Sequence, residues 1–130
     1  MTVVDASVVI EVLLGTPAGR AAERLMLDPR VSLHAPHLLD VEVAHVVRRY
    51  ELAGDLTPGR AAEAVDDLRD LPVTRHEHAL LLPRIWQLRQ NLTAYDAAYV
   101  ALTDALGATL LTRDAKLARG AGRTRVELLK

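Results

Sequence analysis

Apolar and polar positions alternate along the chain in two rhythms. Short unbroken apolar runs read as buried strands, and longer stretches with apolar residues three and four apart read as helices. Residues 2–5, "TVVD", are the first strand, and "SVVIEVLL" follows as a buried helix. Thr16-Pro17 is a helix start, a cap followed by proline in the first turn, and that helix runs to about Leu27 before Asp28-Pro29 stops it. "VSLHAP" is a strand. In residues 38–53, Leu39, Val43, Val46, Val47 and Tyr50 make one helical stripe that ends at Gly54. Thr57-Pro58 opens a helix to about Leu71, and "PVTRH" is a strand. Residues 77–90 read as a helix with Pro83 at a start or kink. Thr93 caps a helix over 94–106 that Gly107 closes. "ATLLT", "DAKLA" and "TRVELL" complete the chain as strand, helical turn and strand.

Strands alternating with helices imply an α/β layered fold with a mostly parallel central sheet. In such sheets, ligands bind beyond the carboxyl ends of the strands, where the strand order reverses. Four acids fall in that zone. Asp5 ends the first strand, and Asp114 follows "ATLLT". Asp96 starts the helix that feeds "ATLLT", and Glu42 lies in the first turns of a helix that follows another strand.

Taken singly, each acid has a plain structural role. Asp5 or Ser7 can cap the first helix, Asp96 stands three residues after Thr93 as in a capping box, Asp114 can cap its turn, and Glu42 can face solvent. Two features argue against four unrelated roles. Asp5 is embedded in "TVVDASVVI", where burial of a lone carboxylate is costly. None of the four has a cation at helical spacing, and Arg113 and Lys116 flank only Asp114. Clustered carboxylates raise each other's pKa unless a cation holds them, and hard oxygen ligands suit Mg²⁺ or Mn²⁺. Such a site suggests phosphodiester chemistry.

Composition narrows the class. The chain has 130 residues, which suits a single domain over residues 1–130. It has no cysteine, which fits a reducing cytoplasm, and it shows no bilayer-spanning apolar run and no signal-peptide pattern. Its net charge of −1 argues against strong non-specific nucleic-acid coating but not against an enzyme acting on nucleic acid. Arginine supplies nearly all of the positive charge, a bias compatible with phosphate ligands and equally with codon usage.

"VVDASVVIEVL", the glutamate of "LLDVEVAHVVRR", "TAYDAAYVALTDALGATLLTRDAKL" and the last strand together resemble a PIN-domain ribonuclease, and more narrowly the VapC toxins of bacterial type II toxin–antitoxin modules. The resemblance spans essentially the whole chain. It implies a three-layer α/β/α PIN-like domain that hydrolyses RNA. It carries the family's metal-binding acids onto Asp5, Glu42, Asp96 and Asp114, and its supporting hydroxyls onto Ser7 and Thr112. It also implies a VapB-type antitoxin that brings a basic side chain near the acids, and a homodimer. Leu25, Leu38 and Val41 are candidates for such contacts, but core is the preferred reading of them.

Two other classes remain. An aspartyl phosphotransfer enzyme would use Asp5 as nucleophile with a second aspartate two residues on, where this chain has Ser7. A non-catalytic PIN-like module would bind protein and would not need the acids. The five histidines lack a metal-binding context and read as surface or hydrogen-bonded groups, and no phosphate-cradling glycine motif or nucleophile elbow occurs. Tyr95 and Tyr99, four apart, are expected to share a helical face, with packing their default role and substrate contact open to Tyr95.

Overall fold

Thr2–Val4 forms β1, and β1 is the centre of the molecule. In the computed structural model, which describes all 130 residues, β1 pairs in parallel with β2 (Leu33–Pro36) on one side and with β4 (Thr109–Thr112) on the other. Beyond them lie β3 (Val73–His76) and β5 (Val126–Leu128), giving an all-parallel sheet in the order β3-β2-β1-β4-β5. The inner strands are covered on both faces: Val3, Val4, Leu110, Leu111 and Thr112 are all buried. That is why they read as continuous apolar runs. On the edge strands Thr74, Glu127 and Leu128 are exposed.

Helices fill both faces. α1 (Ala6–Leu14), α2 (Pro17–Met26), α3 (Leu38–Leu52) and α4 (Pro58–Asp70) pack among themselves, and α6 (Ala94–Leu106) lies against β1, β2 and β4 with α5 (Leu82–Gln87) beside it. α7 (Ala115–Gly120) packs on β4 and β5. The result is three layers, α/β/α. The caps read from the sequence are in place. Thr16, Thr57 and Thr93 accept the N–H groups of Gly19, Arg60 and Asp96, and Gly15 and Gly107 end α1 and α6 in the left-handed conformation.

Three sequence expectations are corrected. Residues 77–90 are not one helix. A single 3-10 turn at Ala79–Leu81 precedes the short α5, with Pro83 in the first turn of α5, where its missing N–H costs nothing. Leu25 and Val41 are not core: they are 44% and 69% exposed, because Leu25 lies at the margin of the buried stripe of α2 and Val41 on the face of α3 turned away from Leu39 and Val43. Tyr95 and Tyr99 do stand four apart on α6, but packing holds only for Tyr99. Tyr95 is 63% exposed and Tyr99 only 1%, because the first turn of α6 is exposed to half-buried while Ala97–Thr103 is buried throughout.

The tightest helix contact is between α1 and α2. A methyl group on Gly19 would stand 2.0 Å from the Glu11 carbonyl oxygen, so only glycine fits. Gly19→Ala is expected to force the helices apart and lower stability by about 1–3 kcal/mol. Gly59→Ala in α4, where the added methyl meets nothing, should raise stability by about 0.5 kcal/mol through helix propensity. Urea unfolding midpoints of the two variants should move in opposite directions.

Candidate active site

The strand order reverses between β1 and β4, since β2 and β3 extend the sheet one way and β4 and β5 the other. Asp5 follows β1, and the turn Thr112–Asp114 follows β4. The carboxyl ends of these neighbouring strands therefore bring the two acids together, although they are far apart in sequence.

A small hydrogen-bond network ties the two strand ends. The Ser7 hydroxyl donates to Asp5 Oδ1 at 2.6 Å, and the Thr112 hydroxyl donates to Asp5 Oδ2. Each hydroxyl in turn accepts a backbone N–H from the β4–α7 turn: Arg113 N–H reaches Ser7 Oγ at 2.9 Å and Asp114 N–H reaches Thr112 Oγ1 at 3.0 Å. Val8 N–H also donates to Asp5 Oδ1, so Asp5 caps α1 as well. Asp114 caps α7 by accepting from Lys116 N–H and Leu117 N–H. The capping role and the clustered role are thus compatible, because each carboxylate has two oxygens with several lone pairs.

The other two acids approach from the helices. Thr93 Oγ1 accepts the Asp96 N–H at 3.1 Å, but the reciprocal bond of a capping box, from Thr93 N–H to the Asp96 carboxylate, is not made. Glu42 is half-buried in the second turn of α3 and accepts the Tyr99 hydroxyl at 2.5 Å. Tyr99 is the site residue that the sequence reading missed. Its signal was present: a buried tyrosine needs a partner for its O–H, and it stands three residues after Asp96 on the same helix.

The electrostatics are those of a crowded acid site. Burial pushes the Asp5 carboxyl above the usual carboxylate range, its hydrogen bonds from Ser7, Thr112 and Val8 oppose this, and Asp114 adds to the rise. Burial likewise raises Glu42, with Tyr99 opposing and Asp96 and Asp5 adding to it. Asp96 is raised by burial and by Asp114, and is lowered by Lys116 and Thr93. The Tyr99 hydroxyl is pushed far up by burial and by Glu42, so it remains a donor. Asp5, Glu42 and Asp96 each therefore sense at least one other acid of the group, and Lys116 is the cation that relieves Asp96. No three of the carboxylates close into a cage at metal-ligand distances. Their chemistry still fits a hard divalent ion, which keeps several waters and takes only one or two carboxylates directly. The histidines lie elsewhere: His34 Nδ1 and His76 Nε2 share a hydrogen bond at 2.9 Å, and His78 Nε2 accepts Leu38 N–H.

The sequence profile of the PIN domain matches residues 2–123. The ribonuclease VapC1 of Mycobacterium tuberculosis is 44% identical over 121 residues, covering 92% of this chain and 90% of that protein. The chain belongs to the VapC branch of the PIN-domain family. Among solved structures, VapC20 of Mycobacterium tuberculosis, described as a sarcin-ricin loop cleaving toxin, superposes with a TM-score of 0.71 at 18% identity, over 94% of this chain and 95% of that one. VapBC2 of Rickettsia felis, bound to a DNA fragment from its promoter, gives a TM-score of 0.72 at 12% identity, over 99% and 98% of the two chains. These two likenesses carry the PIN fold. In this PIN domain no helix is long and apolar enough to cross a membrane.

The raised carboxyl pKa values predict a pH dependence. Above about pH 4 the unfolded acids lose their protons first, while folded Asp5, Glu42 and Asp96 keep theirs to higher pH. The folded state then binds more protons than the unfolded one, so stability falls as pH rises through that window. Thermal melts in EDTA should show this fall. Asp96→Asn should flatten it and stabilise the protein near neutrality by up to about 1 kcal/mol, a small figure because the group is half-exposed.

Proposed function

We propose that this protein is a metal-dependent endoribonuclease, the toxin of a VapBC-type toxin–antitoxin module working in the cytoplasm. The observation that carries this reading is the meeting of Asp5 and the Thr112–Asp114 turn at the switch point, with Glu42 and Asp96 electrically coupled to them. The names of its VapC relatives support the activity, and the VapBC structure supports an antitoxin partner.

Asp5, Glu42, Asp96 and Asp114 would hold Mg²⁺ or Mn²⁺. A divalent ion bound there supplies charge that polarises the scissile phosphate and acidifies an attacking water. The chain's own groups do the rest. Ser7 and Thr112 fix both oxygens of Asp5, so that the buried carboxylate cannot rotate away. Tyr99 holds Glu42 by one oxygen. These supporting groups matter because ligands held in place lose little freedom on binding an ion. A VapB-type antitoxin placing a cation among the acids would relieve the same repulsion and silence the site. Exposed Leu25 and Val41 are available to such a partner or to a second copy in a homodimer.

The test is cleavage of total cellular RNA by the protein freed of antitoxin, in Mg²⁺, Mn²⁺ or EDTA. Discrete cuts are expected with either metal and none in EDTA. Asp5→Asn and Asp96→Asn should lower the rate at least about a hundredfold. Ser7→Ala and Tyr99→Phe should lower it by about 10–100-fold with the fold retained. Metal-independent cutting, or full activity in both aspartate variants, would overturn the reading. Absence of any cutting by the wild type would favour a protein-binding module.

A further inference from the structure

Two separate clefts each reach one of the carboxylates, Asp114 in one and Asp96 in the other. One, of about 540 Å³, is lined by Ser7 and Asp114 together with Arg49 and Arg113. The other, of about 380 Å³, is lined by Asp96 together with Arg89 and Lys116. Each thus has an acid of the site and two cations. The groove between α3 and α4, of about 450 Å³, holds Asp40, Arg69 and Arg75 and none of the four acids.

The state of these cations matters. Six arginines are engaged in ion pairs with acids: Arg30, Arg60, Arg69, Arg75, Arg84 and Arg113. Arg49, Arg89 and Lys116 are in none. Arg113 is held by Glu11 at 2.7 Å, which fixes its guanidinium at the edge of the larger cleft. Beside the smaller cleft, Arg89 lies 4.6 Å over the ring of Trp86, which is 67% exposed. An exposed ring topped by a cation is a place where an unpaired base can stack.

A chain of net charge −1 with four acids gathered at the site repels a polyanion there. Affinity for nucleic acid must then come from cations that neutralise phosphates on either side of the bond to be cut. We infer that single-stranded RNA crosses the acid cluster from cleft to cleft, its flanking phosphates held by Arg49 and Arg113 on one side and by Arg89 and Lys116 on the other, with a base on Trp86. This path rests on the ribonuclease reading above. A duplex does not suit it, because its bases are stacked on one another and not free to meet Trp86.

The experiment uses the full chain carrying Asp96→Asn to prevent cutting, in Mg²⁺, with a short fluorescein-labelled single-stranded RNA of random sequence. Anisotropy is followed against salt concentration. Arg49→Ala and Lys116→Ala should each reduce the slope of log K against log salt by about 0.7, the loss of one phosphate contact on a single strand. Arg123→Ala should leave the slope unchanged, since Arg123 lines a cleft with Gly107 and Ala108 at the other end of β4. Emission from Trp86, the only tryptophan, should change as RNA binds, and the corresponding duplex should bind more weakly. RNA binding with unchanged slopes in Arg49→Ala and Lys116→Ala, or with the change in Arg123→Ala instead, overturns the path and leaves the ribonuclease reading standing. No RNA binding, together with no cutting by the wild type, overturns both.

Discussion

Burial of the Asp5 carboxylate is the constraint on which the rest of the site depends. A carboxylate 4% exposed beside the apolar core is tolerable only if its oxygens are satisfied. Ser7, Thr112 and Val8 satisfy them. Two of these donors lie in the adjoining α1, and the third lies at the end of β4. Thr112 can reach Asp5 only if β1 and β4 are neighbours in register, as the pairing of Val4 with Leu111 provides. The same contact that makes Asp5 bearable therefore locks the two strand ends that carry Asp5 and Asp114.

From that lock the remaining features follow. The β4–α7 turn gives two backbone N–H groups to the Ser7 and Thr112 hydroxyls, so the hydroxyl protons are directed to Asp5. Helix α6 lies across β1, β2 and β4 and brings Asp96 to the same edge, while Tyr99 on that helix reaches Glu42 on α3. Hydrogen bonds offset only part of the cost, since Asp5, Glu42 and Asp96 remain raised, chiefly by burial and further by their acidic neighbours. Acids gathered at one site, with Arg49, Arg89 and Lys116 among the residues lining its clefts and in no ion pair, support the proposal that a cation and a phosphate bind there together.

Much of this was legible beforehand, for a physical reason. Secondary structure in this chain follows local rules: apolar runs for strands covered on both faces, threonine before proline at helix starts, glycine at helix ends. Those rules succeeded for all five strands. They failed over residues 77–90, where a proline early in a short apolar stretch gave a 3-10 turn and a six-residue helix. Burial was less legible than periodicity. Leu25 and Val41 look like core residues in a linear reading, yet Leu25 stands at the margin of the buried stripe of α2 and Val41 on the outer face of α3.

The site divides along the same line. The sequence by itself determined the fold class and the family resemblance; local pattern marked Asp5, Glu42, Asp96 and Asp114 as candidates at strand ends and early helix turns, and the resemblance added Ser7 and Thr112 to them. The tertiary structure alone decided which of them touch. It placed β4 beside β1, directed the Ser7 and Thr112 hydroxyls onto Asp5, and gave the buried Tyr99 its partner in Glu42. Such contacts join residues up to 107 positions apart. They are set by strand order and layer packing, which no local spacing encodes.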